Sequence, residues 1–253
     1  MKYNKFLTLI IPVLSFVFLE IYFFYPKSVF VILVILFSLI FFISRQFIRA
    51  SDKKDAIIKV ISLPTLFVFG SVFVSFFIIN RFIVHVLFVI DLIFLYYYFK
   101  MLYYYFLKLN LYQKVNMEYL STYGNFIAFY FMAISFFGLQ LFLDLAVWKL
   151  IIFLASVVFL IAFQSSWAGE IDKKTGIFYG LLLSLIILEL AWGISFLTLS
   201  YYILGLILTI SFYVLFGLIR FYLFGNLNKE KVKMYLAFGL VSVFIALLTA
   251  RWI

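Results

Sequence analysis

The 253-residue chain has no cysteine, a single histidine and three prolines. Without cysteine there is no disulfide, no thiolate metal site and no cysteine nucleophile. One histidine cannot build a bis-histidine haem site or a multi-histidine metal centre. HExxH, a nucleophile elbow and a phosphate-cradling glycine loop are all absent. No lysine sits in the middle of an apolar run, which argues against a retinal Schiff base. Asp91 with Asp144 or Glu189 is the pair an intramembrane aspartyl protease would need, but the flanking residues do not match such proteases. The loops are also too short for a lipid-linked sugar transferase. No catalytic residue, cofactor or metal ligand is therefore assigned, and an intramembrane enzyme is the least favoured of three function classes.

Charge is scarce too, at 12% of residues, while 68% are hydrophobic and 24% aromatic. A soluble domain carries nearer ~45–50% apolar residues. A membrane β-barrel would alternate polar and apolar positions in ~10-residue strands, and that pattern is missing. Apolar runs long enough to cross ~30 Å of hydrocarbon fall near 6–24, 28–44, 56–79, 82–106, 120–144, 148–166, 176–198, 201–224 and 233–251. The predicted fold is all-α: a polytopic transmembrane bundle of nine spanning helices. It forms one transmembrane domain over 1–253 with no soluble domain, since even the longest loops, near 45–55, 107–119 and 167–175, are short. The first run follows a basic tip as a signal peptide does, but it lacks a small-x-small cleavage site and is read as a retained helix.

The formal charge of +10 would suggest nucleic acid in a soluble protein. Here the basic residues sort by side of a membrane, and no nucleic-acid partner is expected. Assigned to nearest loops on alternating sides, Lys27, Arg81, Lys149 and Arg251 fall on one side and the other sixteen Lys and Arg on the opposite one. The positive-inside rule then puts the N-terminus in the cytoplasm and the C-terminus outside. Trp148, Trp167 and Trp252 fall at segment ends, where amphipathic rings prefer the headgroup level; Trp192 does not. The tract 96–112, rich in tyrosine with two lysines, reads as a cytoplasmic aromatic belt.

Small residues indicate which helices touch. In the seventh segment Gly176, Gly180, Ser184, Ala191 and Ser195 share a stripe, and Glu189 points about 140° away from it. Two sides that lipid should not cover predict an interior helix. In the fifth, Gly124, Ala128, Ser135 and Gly138 form a small face, with Gln140 and Asp144 roughly opposite. Gly205 and Thr209 repeat the spacing in the eighth.

Six acids, Asp52, Asp55, Glu118, Glu170, Asp172 and Glu230, lie among cytoplasmic lysines. The other four do not. Glu20 is about 6 Å from the outer end of its helix, Asp91 about 14 Å, and Glu189 about 20 Å from the inner end of its own. Asp144 is at the outer rim and His85 about a turn inside it. An ionised acid at a helix centre costs ~2.5–3.5 kcal/mol on the insertion scale, so such residues are either functional or paired. Asp91, Glu189, Trp192, His85, Glu20, Asp144 and Gln140 form the candidate intramembrane polar site. If structural, Glu20, Asp144 and Glu189 pair with Arg81, His85, Lys149 or Arg251. If functional, Asp91 and Glu189 are proton or cation sites in an outward-opening polar cavity.

The favoured reading is a non-enzymatic membrane component or complex subunit, with the bilayer, other membrane proteins or a second copy as partners. The alternative is a small-solute or ion transporter using Asp91 and Glu189. The Lys-, Ile- and Phe-rich composition fits an A+T-rich bacterial genome, so the expected location is a bacterial cytoplasmic membrane.

Overall fold

The computed structural model describes residues 6–49, 57–107, 114–143 and 145–250, with side chains from 117 in the third stretch. Among the described residues there is no strand. Nine α-helices form: α1 (Leu7–Phe24), α2 (Val29–Arg49), α3 (Ile57–Ser75), α4 (Arg81–Leu107), α5 (Lys114–Leu143), α6 (Val147–Ala168), α7 (Lys173–Ile194), α8 (Tyr201–Leu223) and α9 (Lys229–Thr249). Each is long and apolar enough to cross a membrane, which is consistent with an integral membrane protein.

Helix ends differ from the apolar limits where a polar cap extends the helix. α7 begins at Lys173 rather than 176 because Asp172 accepts hydrogen bonds from the backbone N–H groups of Lys174 and Thr175. α9 begins at Lys229 rather than 233 because Asn228 accepts from the N–H of Lys231. α3 stops at Ser75, short of 79, and Asn80 Oδ1 receives the N–H of Phe82 as α4 starts. Side-chain oxygens at these positions satisfy backbone donors that have no partner within the helix.

The chain divides into two compact units, residues 1–128 and 129–253, with the boundary inside α5. In the first unit α1 packs on α4 and α2, and α3 packs on α2 and α4. The Phe67 and Phe94 rings stack with centroids 3.9 Å apart, and Tyr98 continues the stack. Gly124 of α5 fits beneath Phe94: a Cβ there would come within 2.5 Å of the ring.

Pro64 lies inside α3. Proline has no N–H, so it frees the carbonyl four residues earlier, which belongs to Val60. The hydroxyl of the fully buried Tyr98 on α4 donates to that same carbonyl at 2.7 Å. An interhelical bond thus replaces the one the proline removes, and the Val60 carbonyl is not left orphaned.

In the second unit the small stripe predicted for α7 faces α6, with Gly176 against Ser166 and Gly180 against Ala162 and Phe159. Gly205 of α8 meets the backbone of Ile134 in α5, where a Cβ would lie 2.9 Å from the amide nitrogen. Phe129 and Phe212 stack beside it at 4.2 Å. α9 touches α8 where Gly239 meets Val214 and where Tyr235 covers Gly217. Most of its remaining surface is exposed.

Replacing Tyr98 with Phe should destabilise the protein by about 1–3 kcal/mol, because it strands a buried carbonyl. In a Pro64→Ala background the new amide serves Val60, and the same change should cost only about 0.5–1.5 kcal/mol. Equilibrium unfolding in mixed micelles measures both, and equal costs would refute the compensation. Gly205→Ala should cost about 1–3 kcal/mol through overpacking. Gly193→Ala, with open space around the new methyl, should be neutral or stabilise by up to ~1 kcal/mol.

Candidate functional site

Besides the Tyr98–Val60 bond, three contacts between polar side chains tie α1, α3 and α4 together in the first unit. At the start of α4, His85 Nδ1 lies 2.9 Å from Glu20 Oε1 of α1, with side chains 37% and 21% exposed respectively. The Phe23 ring covers the imidazole at 4.4 Å. This is one of the pairings expected from the sequence, and it joins two candidate residues.

Farther in, the Tyr22 hydroxyl is 2.9 Å from Ser75 Oγ. Ser75 spends its own proton on the Val72 carbonyl at 2.6 Å, so Tyr22 is the donor and Ser75 the acceptor. One turn back along α3, Ser71 Oγ lies 2.8 Å from the Val68 carbonyl and 2.5 Å from Asp91 Oδ2.

Asp91 is fully buried, and its second oxygen, Oδ1, has no hydrogen-bond partner among the described residues. The Glu20–His85 contact does not involve it, and no described cation lies within ion-pair distance of it. Ser15 on α1 is also fully buried, with its hydroxyl unpartnered among the described residues. A buried acceptor left without a donor is uncommon and costly.

Sequence reasoning missed Tyr22, Ser71, Ser75 and Ser15. A signal for the serines was present: Ser71 and Ser75 stand four apart, hence on one helix face, in an otherwise apolar stretch. Serine is a weak signal because its hydroxyl is often satisfied by its own helix.

The remaining candidates belong to the second unit. Glu189 sits on the exposed face of α7, while Gly176, Gly180, Ser184 and Ala191 are buried. α7 is therefore not enclosed on both sides as its two-faced pattern predicted; one stripe meets α6 and the acid points outward. Leu181, Leu185 and Trp192 share that outward face, and Trp192 is 56% exposed with its ring edge-on to Phe196 at 5.5 Å. Gln140 is partly exposed near the end of α5. Asp144, Arg251 and Trp252 lie outside the described residues.

A groove and a crevice lie in the second unit. A groove of about 730 Å³ runs along α9 past Val232, Leu236 and Leu240. A crevice of about 20 Å³ is bounded by Ser165, Ser166, Tyr179 and Arg220, room for one water molecule. Neither is lined by a candidate residue. The described residues hold no cluster of three or more His, Asp or Glu side chains suited to a metal ion. No protein-family model, curated protein or solved structure matches this chain.

A partly exposed pair such as Glu20–His85 contributes modestly because water screens it. A double-mutant cycle with Glu20→Gln and His85→Asn should give a coupling energy of about 0.2–1 kcal/mol in unfolding experiments. Additive single effects would mean the two side chains do not interact in the folded protein.

Proposed function

We propose that the protein is a non-enzymatic component of a membrane complex, holding a helix of another membrane protein against the outward face of α7. The observation that carries this reading is Glu189, an acid exposed between Leu185 and Trp192 on an otherwise apolar helix face. By helix rise it lies about 24 Å from the start of α7 and about 7.5 Å from its end. Distribution of the basic residues supports a cytoplasmic start for the chain and an external end. Glu189 then falls in the outer half of a bacterial cytoplasmic membrane.

A carboxylate facing hydrocarbon is unfavourable. A Lys, Arg or His on a neighbouring helix at the same depth would offset that cost, and Trp192 with Leu185 would supply the apolar contact around the pair. A second copy docked symmetrically on this face would set like charges together, which favours a different partner.

Photo-crosslinking tests this reading. A photoreactive residue in place of Leu185 should give one discrete protein adduct in native membranes. The crosslinked segment should be apolar and carry a basic residue, and Glu189→Leu should abolish the adduct. Adducts with lipid alone, or a protein adduct indifferent to Glu189→Leu, would overturn the proposal.

A further inference from the structure

Asp91 has a different environment and points to a second property, independent of partner docking. The hydroxyl of Ser71 carries one hydrogen, yet two acceptors lie within reach: the Val68 carbonyl at 2.8 Å and Asp91 Oδ2 at 2.5 Å. Ser75, one turn away on the same face, uses its hydrogen on the Val72 carbonyl. If Ser71 does likewise, the hydrogen in its contact with Asp91 belongs to the carboxyl group. Oδ1 then remains as a neutral carbonyl oxygen, which tolerates burial without a donor far better than a carboxylate oxygen does.

Among the described residues no opposing charge lies beside Asp91. On α4, His85 is about 9 Å away along the helix and Lys100 about 13.5 Å in the other direction. On α3, Lys59 lies about 18 Å from Ser71. α1 contributes Glu20, bound to His85, and Tyr22, bound to Ser75. The buried faces of α2 and the first half of α5 present no titratable side chain.

Ser15 adds a second unsatisfied oxygen to the same seam. α1 and α4 run in opposite directions, since three chain reversals separate them. Measured from the Glu20–His85 contact, Ser15 is about 7.5 Å along α1 and Asp91 about 9 Å along α4. The two lie at the same depth on helices packed together, and each bears a buried oxygen without a hydrogen-bond partner.

We propose that Asp91 is a proton-binding site in the α1–α3–α4 seam, holding its proton while the seam is closed and releasing it when the seam opens. Opening admits water from the end where Glu20 and His85 are partly exposed. The proton leaves to that water, and the carboxylate accepts hydrogen bonds from water. Proton release is thereby coupled to separation of α1 from α4.

Infrared spectroscopy of the protein in lipid vesicles tests this directly. At neutral pH the wild type should show the C=O stretch of a protonated buried carboxyl that Asp91→Asn lacks. Ser71→Ala should keep the band but move it to higher frequency, because the carboxyl O–H loses its acceptor. As the pH is raised the band should fade while the helices persist, and the amide protection factors across residues 11–22, which discount the intrinsic rise of exchange with pH, should fall in the wild type but not in Asp91→Asn. If Asp91→Asn does not fold, the Ser71→Ala shift and the wild-type titration still decide. No band in the wild type, or one unmoved by Ser71→Ala, would overturn the site. A band that survives until the helices unfold would reduce Asp91 to a fixed structural acid and overturn the exchange.

Discussion

Long stretches of this chain have no hydrogen-bonding solvent available to them if they lie in hydrocarbon, and every backbone N–H and C=O there needs a partner within the protein. Helices meet that demand locally, which is why nine apolar runs become nine helices among the described residues. The same demand governs the exceptions. Pro64 breaks the ladder of α3, and a tyrosine from the neighbouring helix serves the carbonyl left behind. Most hydroxyls remain within their own helix: Ser38, Ser135, Ser184 and Thr209 each donate to the carbonyl four residues earlier. Against that background, the hydroxyls of Tyr22, Ser71 and Tyr98, which reach across to another helix, mark the places where polarity organises the packing.

Packing itself relies on small residues, since apolar side chains gain little from leaving lipid for one another. Gly205 brings α8 to the backbone of α5, Gly176 and Gly180 seat α7 on α6, and Gly124 makes room for the Phe94 ring. α9 is the counterexample. It meets α8 at two glycine contacts and through the rings of Tyr235 and Phe238 against Tyr213 and Phe221, and most of its remaining surface is exposed, so its stability rests on the surrounding medium more than on its other neighbours.

Two acids of the same chemistry thus end in opposite surroundings. Asp91 is enclosed by α1, α3 and α4 with a hydroxyl for company; Glu189 faces away from the helices that hold α7. Enclosure favours a neutral, proton-bearing group and a role linked to opening of the seam. Outward exposure favours recruitment of an opposite charge from another molecule. The two proposed roles rest on separate units and do not depend on one another.

Helix number and approximate position were legible from the sequence because hydrophobicity over about 20 residues is a local property. The close approaches of Gly176, Gly180 and Gly205 were legible as well, since small residues four apart share one face whatever lies opposite. The capping by Asp172 and Asn228 went unread because both precede the apolar runs. Tertiary structure alone decided that Tyr98 answers Pro64, that Ser71 meets Asp91, and that Glu20 chooses His85 among several cations. It also turned Glu189 outward. A helical pattern establishes which residues share a side, but which side is covered depends on the neighbours, and those are chosen by contacts between segments tens of residues apart.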